Sequence, residues 1–169
     1  MKKLFIVLTL SLLTVLSFAQ EQKSISKIPA VALKTLDGKN FNTNQISNDG
    51  KPIILSFWAL WCKPCQKELD AFNEHYADWQ KETGVKIYAV SIDDSRSTAK
   101  VLPLVDGKSW EFEVLLDPNS DFKRAMNVNM IPHTFLLDGK GNIVSQHTSY
   151  FEGSELDLYE EIKKLAGVK

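Results

Sequence analysis

The segment that most constrains the fold of this chain is an apolar run that leads into a pair of cysteines. Residues 53–58 are almost continuously apolar, which is typical of a strand buried on both faces, as in a parallel sheet. A helical pattern follows at once, with apolar side chains at steps of four and three residues: Cys65, Leu69, Phe72, Tyr76 and Trp79. Pro64 suits the first turn of such a helix, where a missing N–H costs nothing. The sequence therefore predicts a buried strand that delivers a Cys-x-x-Cys pair to a helix N-terminus.

The rest of the chain alternates between strand-like and helix-like patterns. Strands are predicted at 30–36, 85–92, 112–116, 134–137 and 143–145. Helices are predicted at about 93–105, with a kink at Pro103, at about 120–125, and from about 154 to a stop at Gly167. Turn signals at 37–38 and 138–142 predict hairpins. This order predicts an α/β sandwich, with helices on both faces of a mixed sheet.

Length and composition exclude several classes of protein. A chain of 169 residues fits one domain. A net charge of −1 provides no basic field for nucleic acid, so we expect no nucleic-acid partner. Only two cysteines are present, which excludes both a disulfide-stapled mini-protein and a zinc site of four thiolates.

The N-terminus has the pattern of an export signal. Two lysines precede a short apolar stretch that ends at Ala19, before polar residues. We expect residues 1–19 to be a signal peptide, 20–28 a flexible lead-in and 29–169 the folded domain. The alternative is an uncleaved membrane anchor. Either interpretation places the domain outside the cytoplasm, in the periplasm, where disulfides persist.

The position of the cysteine pair favours redox chemistry. A helix N-terminus favours an anion at Cys62, and thiols in Cys-x-x-Cys motifs have pKa values lowered to roughly 3.5–7.5. We expect Cys62 to be an exposed nucleophile and Cys65 to resolve the mixed disulfide that Cys62 forms. A static disulfide, a pair of plain thiols and a metal site completed by histidines (His75, His133 and His147) remain as alternatives.

Two motifs carry a resemblance to a known family. Residues 57–65 read Phe-Trp-Ala-Leu-Trp-Cys-Lys-Pro-Cys, and residues 131–138 read Ile-Pro-His-Thr-Phe-Leu-Leu-Asp. From about residue 28 to the end, the chain resembles exported bacterial thiol–disulfide oxidoreductases of the TlpA/ResA type. The resemblance implies a thioredoxin-like three-layer sandwich, with an N-terminal hairpin and a central insertion between Asp93 and Trp110.

The resemblance also implies roles for single residues. Pro132 would form a cis peptide bond beside the cysteines, the backbone of Ile131 would pair with an extended substrate, and Trp61 would offer apolar contact. Glu68, one helical turn after Cys65, would relay protons to Cys65. The alternative interpretation is that Glu68 is a solvated glutamate on the helix surface.

Three further residues depart from or extend the pattern. Ser56 stands where thioredoxins carry a buried aspartate, and we interpret it as a core hydroxyl. His133 is interpreted either as a partly exposed strand residue or as a cation that favours the Cys62 thiolate. Lys63, inside the motif, is a further cation that favours this thiolate.

The expected function is reduction of disulfides in exported proteins, with apocytochrome c as one example. Electrons would come from a membrane-embedded thiol-transfer protein, and we expect a monomer without a bound cofactor. One alternative is a thiol peroxidase, since the leading hairpin is shared with peroxiredoxins, although those carry a lone cysteine in a Thr-x-x context. The other alternative is a copper- or zinc-binding module.

Overall fold

A computed structural model describes residues 26–168. Its strands are β1 (Ala32–Thr35), β2 (Asn40–Asn42), β3 (Gly50–Trp58), β4 (Lys86–Ser91), β5 (Glu113–Leu116), β6 (His133–Gly139) and β7 (Ile143–Thr148). Its helices are α1 (Lys63–Thr83), α2 (Val101–Lys108), α3 (Asp121–Ala125) and α4 (Ser154–Ala166), with short 3-10 turns at Thr43–Gln45 and Thr98–Lys100.

The seven strands form one mixed sheet in the order β2-β1-β5-β4-β3-β6-β7. The central strand β3 runs parallel to β4 and antiparallel to β6, and β4 runs parallel to β5. Both hairpins expected from turn residues are present, as β1–β2 and β6–β7. β3 is thus a central strand, and its side chains are buried on both faces of the sheet, which explains its continuous apolar sequence.

Helices cover both faces of this sheet. On one face α1, α2 and α4 pack on side chains that include Ile54, Ile87 and Leu136. On the other face α3 contributes Phe122 to a cluster that includes Phe57, whose ring centroid lies 5.2 Å away. The predicted three-layer sandwich is confirmed.

Helix α1 is continuous over 21 residues and has the predicted apolar stripe on its buried face. It ends at Gly84, which has a left-handed backbone conformation (φ 70°) and donates its N–H to the carbonyl of Gln80. A glycine adopts this conformation without steric cost, so the predicted stop is confirmed.

The helix predicted at 93–105 is wrong in its start. Asp94 accepts main-chain hydrogen bonds from Arg96 and Ser97 at 3.1 Å each, which forms a turn in place of a helical start. The regular helix α2 begins at Val101. Pro103 therefore lies in its first turn, where no N–H is required, and does not interrupt a longer helix.

The N-terminal predictions lie mostly outside the described residues, including the signal peptide at 1–19 and the lead-in up to residue 25. The last residues of the predicted lead-in make main-chain hydrogen bonds. Ile28 donates its N–H to the carbonyl of Gly141 at 3.3 Å, and Ser26 accepts from Ile143 at 2.9 Å. These main-chain bonds attach residues 26–28 to the β6–β7 hairpin. Between residues 26 and 168, no helix combines the length and the apolar character needed to cross a bilayer.

Candidate active site

The loop between β3 and α1 is held by hydrogen bonds on each side. The N–H of Leu60 donates to Oδ2 of Asp93 at 2.9 Å, and the carbonyl of Leu60 accepts from Nε2 of Gln66 at 2.6 Å. Cys62 donates its N–H to the carbonyl of Ala59 at 3.0 Å. The loop is thereby fixed in the conformation that starts the helix at Lys63.

Cys62 is the N-cap of α1, and Pro64 lies in the first helical turn as predicted. The Sγ of Cys62 accepts a hydrogen bond from the N–H of Cys65 at 3.3 Å. The unpaired N–H groups and the dipole of a helix N-terminus stabilise negative charge at this position. A Cys62 thiolate formed on reduction would be stabilised by the same groups.

The two cysteines form a disulfide, with their Cα atoms 5.3 Å apart. Cys65 is fully buried and Cys62 is only 5% exposed, whereas the adjacent Trp61 is 69% exposed. The prediction of an exposed Cys62 is therefore wrong for the disulfide form, because its sulfur is bonded back toward the first helical turn.

The segment before β6 lies at the same edge of the sheet as the cysteines. The Ile131–Pro132 peptide bond is cis, as the family resemblance implied. His133, the first residue of β6, pairs with Phe57 near the end of β3. The pairing places Ile131 and Pro132 at the end of β3, where the cysteine loop begins.

Glu68 is buried beneath the disulfide, on the face of α1 that contacts the sheet. It is 4% exposed, and its Oε2 accepts hydrogen bonds from the hydroxyls of Ser56 at 2.8 Å and Thr134 at 3.0 Å. Ser56 and Thr134 are direct neighbours across β3 and β6. The interpretation of Glu68 as a solvated helix glutamate is therefore wrong.

Burial raises the pKa of Glu68 to about 7, against the two hydroxyl hydrogen bonds, which lower it. Such a carboxyl changes its protonation state near neutral pH, where an exposed glutamate stays ionised. Ser56, expected to be a core hydroxyl, is indeed buried, and its partner is this carboxyl.

A cleft of about 320 Å³ connects Glu68 to the surface between α1, β7 and α4. Its walls include Thr148, Tyr150 and Leu158. The hydroxyl of Tyr150 donates to Oε2 of Glu155 at 2.9 Å, and burial together with this carboxylate raises the pKa of Tyr150 to about 12. Tyr150 is therefore a neutral wall of the cleft near neutral pH.

His133 does not act as the cation beside Cys62 that was considered from the sequence. His133 is buried, stacks on Phe135 and lies 3.2 Å from Oε1 of Gln146, and burial lowers its pKa. It is thus neutral near pH 7, which contradicts both a cation beside Cys62 and a partly exposed side chain. Among residues 26–168, no three histidine, cysteine, aspartate or glutamate side chains are grouped to hold a metal ion.

Sequence reasoning missed two residues that build the site. Asp93 anchors Leu60, and Thr134 binds Glu68 from a strand 66 residues away. Asp93 lies two residues after the end of the apolar strand β4, so an acidic residue near a strand end was an available signal. Nothing in the local pattern around Thr134 indicates its partner.

Comparison with known proteins agrees with this geometry. The profile of the AhpC/TSA family matches residues 25–146. The thiol-disulfide oxidoreductase ResA of Bacillus cereus (strain ATCC 10987 / NRS 248) is 31% identical over 150 residues, which cover 88% of this chain and 83% of the relative. The sporulation thiol-disulfide oxidoreductase A of Bacillus subtilis (strain 168) is 33% identical over 127 residues, 74% of each chain.

Solved structures show the same architecture. An uncharacterized thioredoxin-like protein from Porphyromonas gingivalis is 53% identical, with a TM-score of 0.75 over 85% of this chain and 94% of that protein. StoA from Bacillus subtilis is 27% identical, with a TM-score of 0.62 over 80% of this chain and 98% of that one. The resemblance carried by residues 57–65 is confirmed: the chain belongs to the AhpC/TSA family and is a thiol–disulfide oxidoreductase of the ResA and StoA type.

Proposed function

We propose that this oxidoreductase reduces disulfide bonds in exported proteins. The observation that carries the proposal is the Cys62–Cys65 pair at the N-terminus of α1, with Glu68 buried one helical turn beyond Cys65. The Cys62 thiolate attacks a substrate disulfide, forms a mixed disulfide and expels the first substrate thiolate. The Cys65 thiolate then attacks Sγ of Cys62, expels the second substrate thiolate and leaves the Cys62–Cys65 disulfide. Two electrons pass from the dithiol to the substrate.

Glu68 serves as the proton acceptor for Cys65 in this scheme. Cys65 is fully buried, so its thiol cannot lose a proton directly to water. A carboxyl with a pKa of about 7 accepts and releases protons at similar rates near neutral pH, which suits a relay. The cleft beside Tyr150 supports the role, because it connects Glu68 to solvent.

The substrate chain binds between Trp61 and the segment before β6. The exposed ring of Trp61 contacts apolar groups of the partner, and the backbone of Ile131, next to cis Pro132, pairs with an extended segment beside Cys62. These contacts hold the target disulfide in line with the attacking sulfur.

Export to the periplasm, by the signal at residues 1–19, is part of this proposal. The electron donor is a membrane-embedded thiol-transfer protein, apocytochrome c is one candidate substrate, and the oxidoreductase is a monomer.

A reductase requires a low reduction potential. We therefore expect the Cys62–Cys65 couple to lie nearer to about −270 mV than to about −120 mV, the values of a reducing and a strongly oxidising member of the fold.

A Cys65→Ser variant tests the proposal directly. Without the resolving thiol, the mixed disulfide at Cys62 persists, and mass spectrometry of adducts from the exported proteins of the host identifies the substrates. The double variant Cys62→Ser/Cys65→Ser is the matched control and captures nothing. Absence of adducts with the single variant, or equal capture by both variants, contradicts the proposed reduction.

A thiol peroxidase is the second candidate, favoured by the AhpC/TSA family match. The disulfide between Cys62 and Cys65 and the fully buried position of Cys65 suit protein disulfide exchange better than reaction of a lone thiolate with peroxide. The two functions separate in one assay. The assay compares the rates at which hydrogen peroxide and glutathione disulfide oxidise the reduced protein. Faster oxidation by hydrogen peroxide indicates a peroxidase, and faster oxidation by glutathione disulfide indicates disulfide exchange.

A further inference from the structure

Three exposed apolar side chains share the edge of the sheet that carries the disulfide. Trp61, Met130 and Phe151 are 69%, 55% and 75% exposed. Each lies three residues beyond a strand end: Trp61 after β3, Met130 before β6 and Phe151 after β7. We call these three side chains the apolar rim.

The strand register places the rim around the cysteine loop. Phe57 of β3 pairs with His133 of β6, and His133 pairs with Thr148 of β7. The ends of three adjacent strands therefore coincide. The segments that carry Trp61, Met130 and Phe151 all emerge from this edge.

The backbone under Phe151 is held on both sides, although its side chain is exposed. Ser149 donates its N–H to the carbonyl of Pro132 at 3.1 Å, which attaches the segment after β7 to the cis-proline turn. The carbonyl of Phe151 accepts from Oγ of Ser154 at 2.7 Å, at the start of α4. A large apolar side chain on a fixed base loses little conformational entropy on binding, so it suits a recognition surface.

We propose that Phe151 and Met130 extend the substrate site and select partner polypeptides with apolar residues beside the target cysteine. The occupant is a segment of the disulfide-bearing partner, because the rim residues follow strand ends at the same edge of the sheet as the disulfide that this partner must reach. An exposed phenylalanine, methionine and tryptophan around one reactive group are typical of an interaction site. This inference rests on the proposed reduction of protein disulfides and adds a preference among them.

The test measures how fast the reduced protein is oxidised by two disulfide-linked peptides of equal length. One peptide carries leucine and phenylalanine beside its cysteine, and the other carries serine and glutamine at the same positions. Acid quenching and chromatography follow the Cys62–Cys65 disulfide. We expect Phe151→Ser to lower the ratio of the two second-order rate constants, apolar over polar, by about tenfold, equivalent to about 1.4 kcal/mol. Phe151→Leu, which keeps an apolar side chain, should retain most of the preference.

The matched control is Val144→Ser. Val144 is 51% exposed and lies near the start of β7, at the opposite end of the strand from Phe151, so its substitution should leave the ratio unchanged. The rim proposal is overturned if Phe151→Ser and Val144→Ser have the same ratio of apolar to polar rate constants. It is also overturned if Phe151→Ser slows the reaction with both peptides equally. Failure of the wild-type protein to react with glutathione disulfide refutes disulfide exchange itself, so the two failures are distinguishable.

Discussion

Replacing Glu68 with glutamine should remove a large part of the pH dependence of stability. In the folded protein burial raises the pKa of Glu68 from 4.5 to about 7. The unfolded chain thus releases this proton at lower pH than the folded protein does. Between these two pH values the folded state binds more protons, so the free energy of unfolding falls as the pH rises. The loss begins near pH 4.5 and is complete above about pH 7.

The size of the effect follows from the pKa interval. A shift from 4.5 to about 7, at 1.36 kcal/mol per unit, corresponds to about 3 kcal/mol. Glutamine carries no titrating proton, and its carbonyl oxygen can accept the hydrogen bonds from Ser56 and Thr134. Glu68→Gln should therefore match the wild type near pH 4.5 and exceed it by about 3 kcal/mol near pH 8.

Urea denaturation of the disulfide form, at about pH 4.5 and about pH 8, measures this difference. Other titrating groups are present in both proteins, so their contributions to the free energy of unfolding cancel when the variant is compared with the wild type at the same pH. Glu111→Gln, at an exposed position, controls for the loss of one carboxyl charge. A stability difference between Glu68→Gln and wild type that is the same at both pH values would refute the argument from burial. The same variant tests the relay: unchanged pH dependence of Cys62 and Cys65 reactivity contradicts a proton role for Glu68.

Two further predictions concern the loop and the sheet. Asp93→Ala leaves the N–H of Leu60 without its partner, so urea denaturation should show a loss of about 1–3 kcal/mol, with slower reduction of glutathione disulfide; unchanged stability would contradict an anchoring role. Gly139→Ala places a Cβ 2.0 Å from the backbone carbon of Gly50 and should cost about 1–3 kcal/mol or more. In contrast, a Cβ at Gly107 within α2 meets open space, so Gly107→Ala should raise the free energy of unfolding by about 0.5–1 kcal/mol and raise the melting temperature. Equal effects of the two glycine substitutions on the melting temperature would contradict this contrast.

The elements around the cysteines were predictable because their signals are local. The apolar run at 53–58, the stripe of α1 and the stop at Gly84 each depend on the periodicity of a single strand or helix. The start of α2 was predicted wrongly because the apolar pattern did not mark it. A turn around the side chain of Asp94 competes with helix formation, and its hydrogen bonds do not alter the apolar pattern.

The chemistry of Glu68 shows where local signals end. Its place one turn after Cys65 follows from helix geometry, but its burial depends on Ser56 and Thr134, which come from two strands of the sheet. His133 is a similar case, because burial in the sheet lowers its pKa, against a side-chain hydrogen bond to Gln146 of β7, which raises it. The charge state of each group follows from desolvation, and the amount of desolvation is set by residues distant in the chain.

By itself the sequence determined that a Cys-x-x-Cys pair lies between a buried strand and a helix, and that such a pair exchanges disulfides. This follows because strand burial, helix start and thiol spacing are properties of adjacent residues. Only the tertiary structure decided that Glu68 is buried, that Asp93 anchors the loop, and that Met130 and Phe151 share an edge with Trp61. These features depend on sheet register, which brings together segments up to about 90 residues apart in the chain.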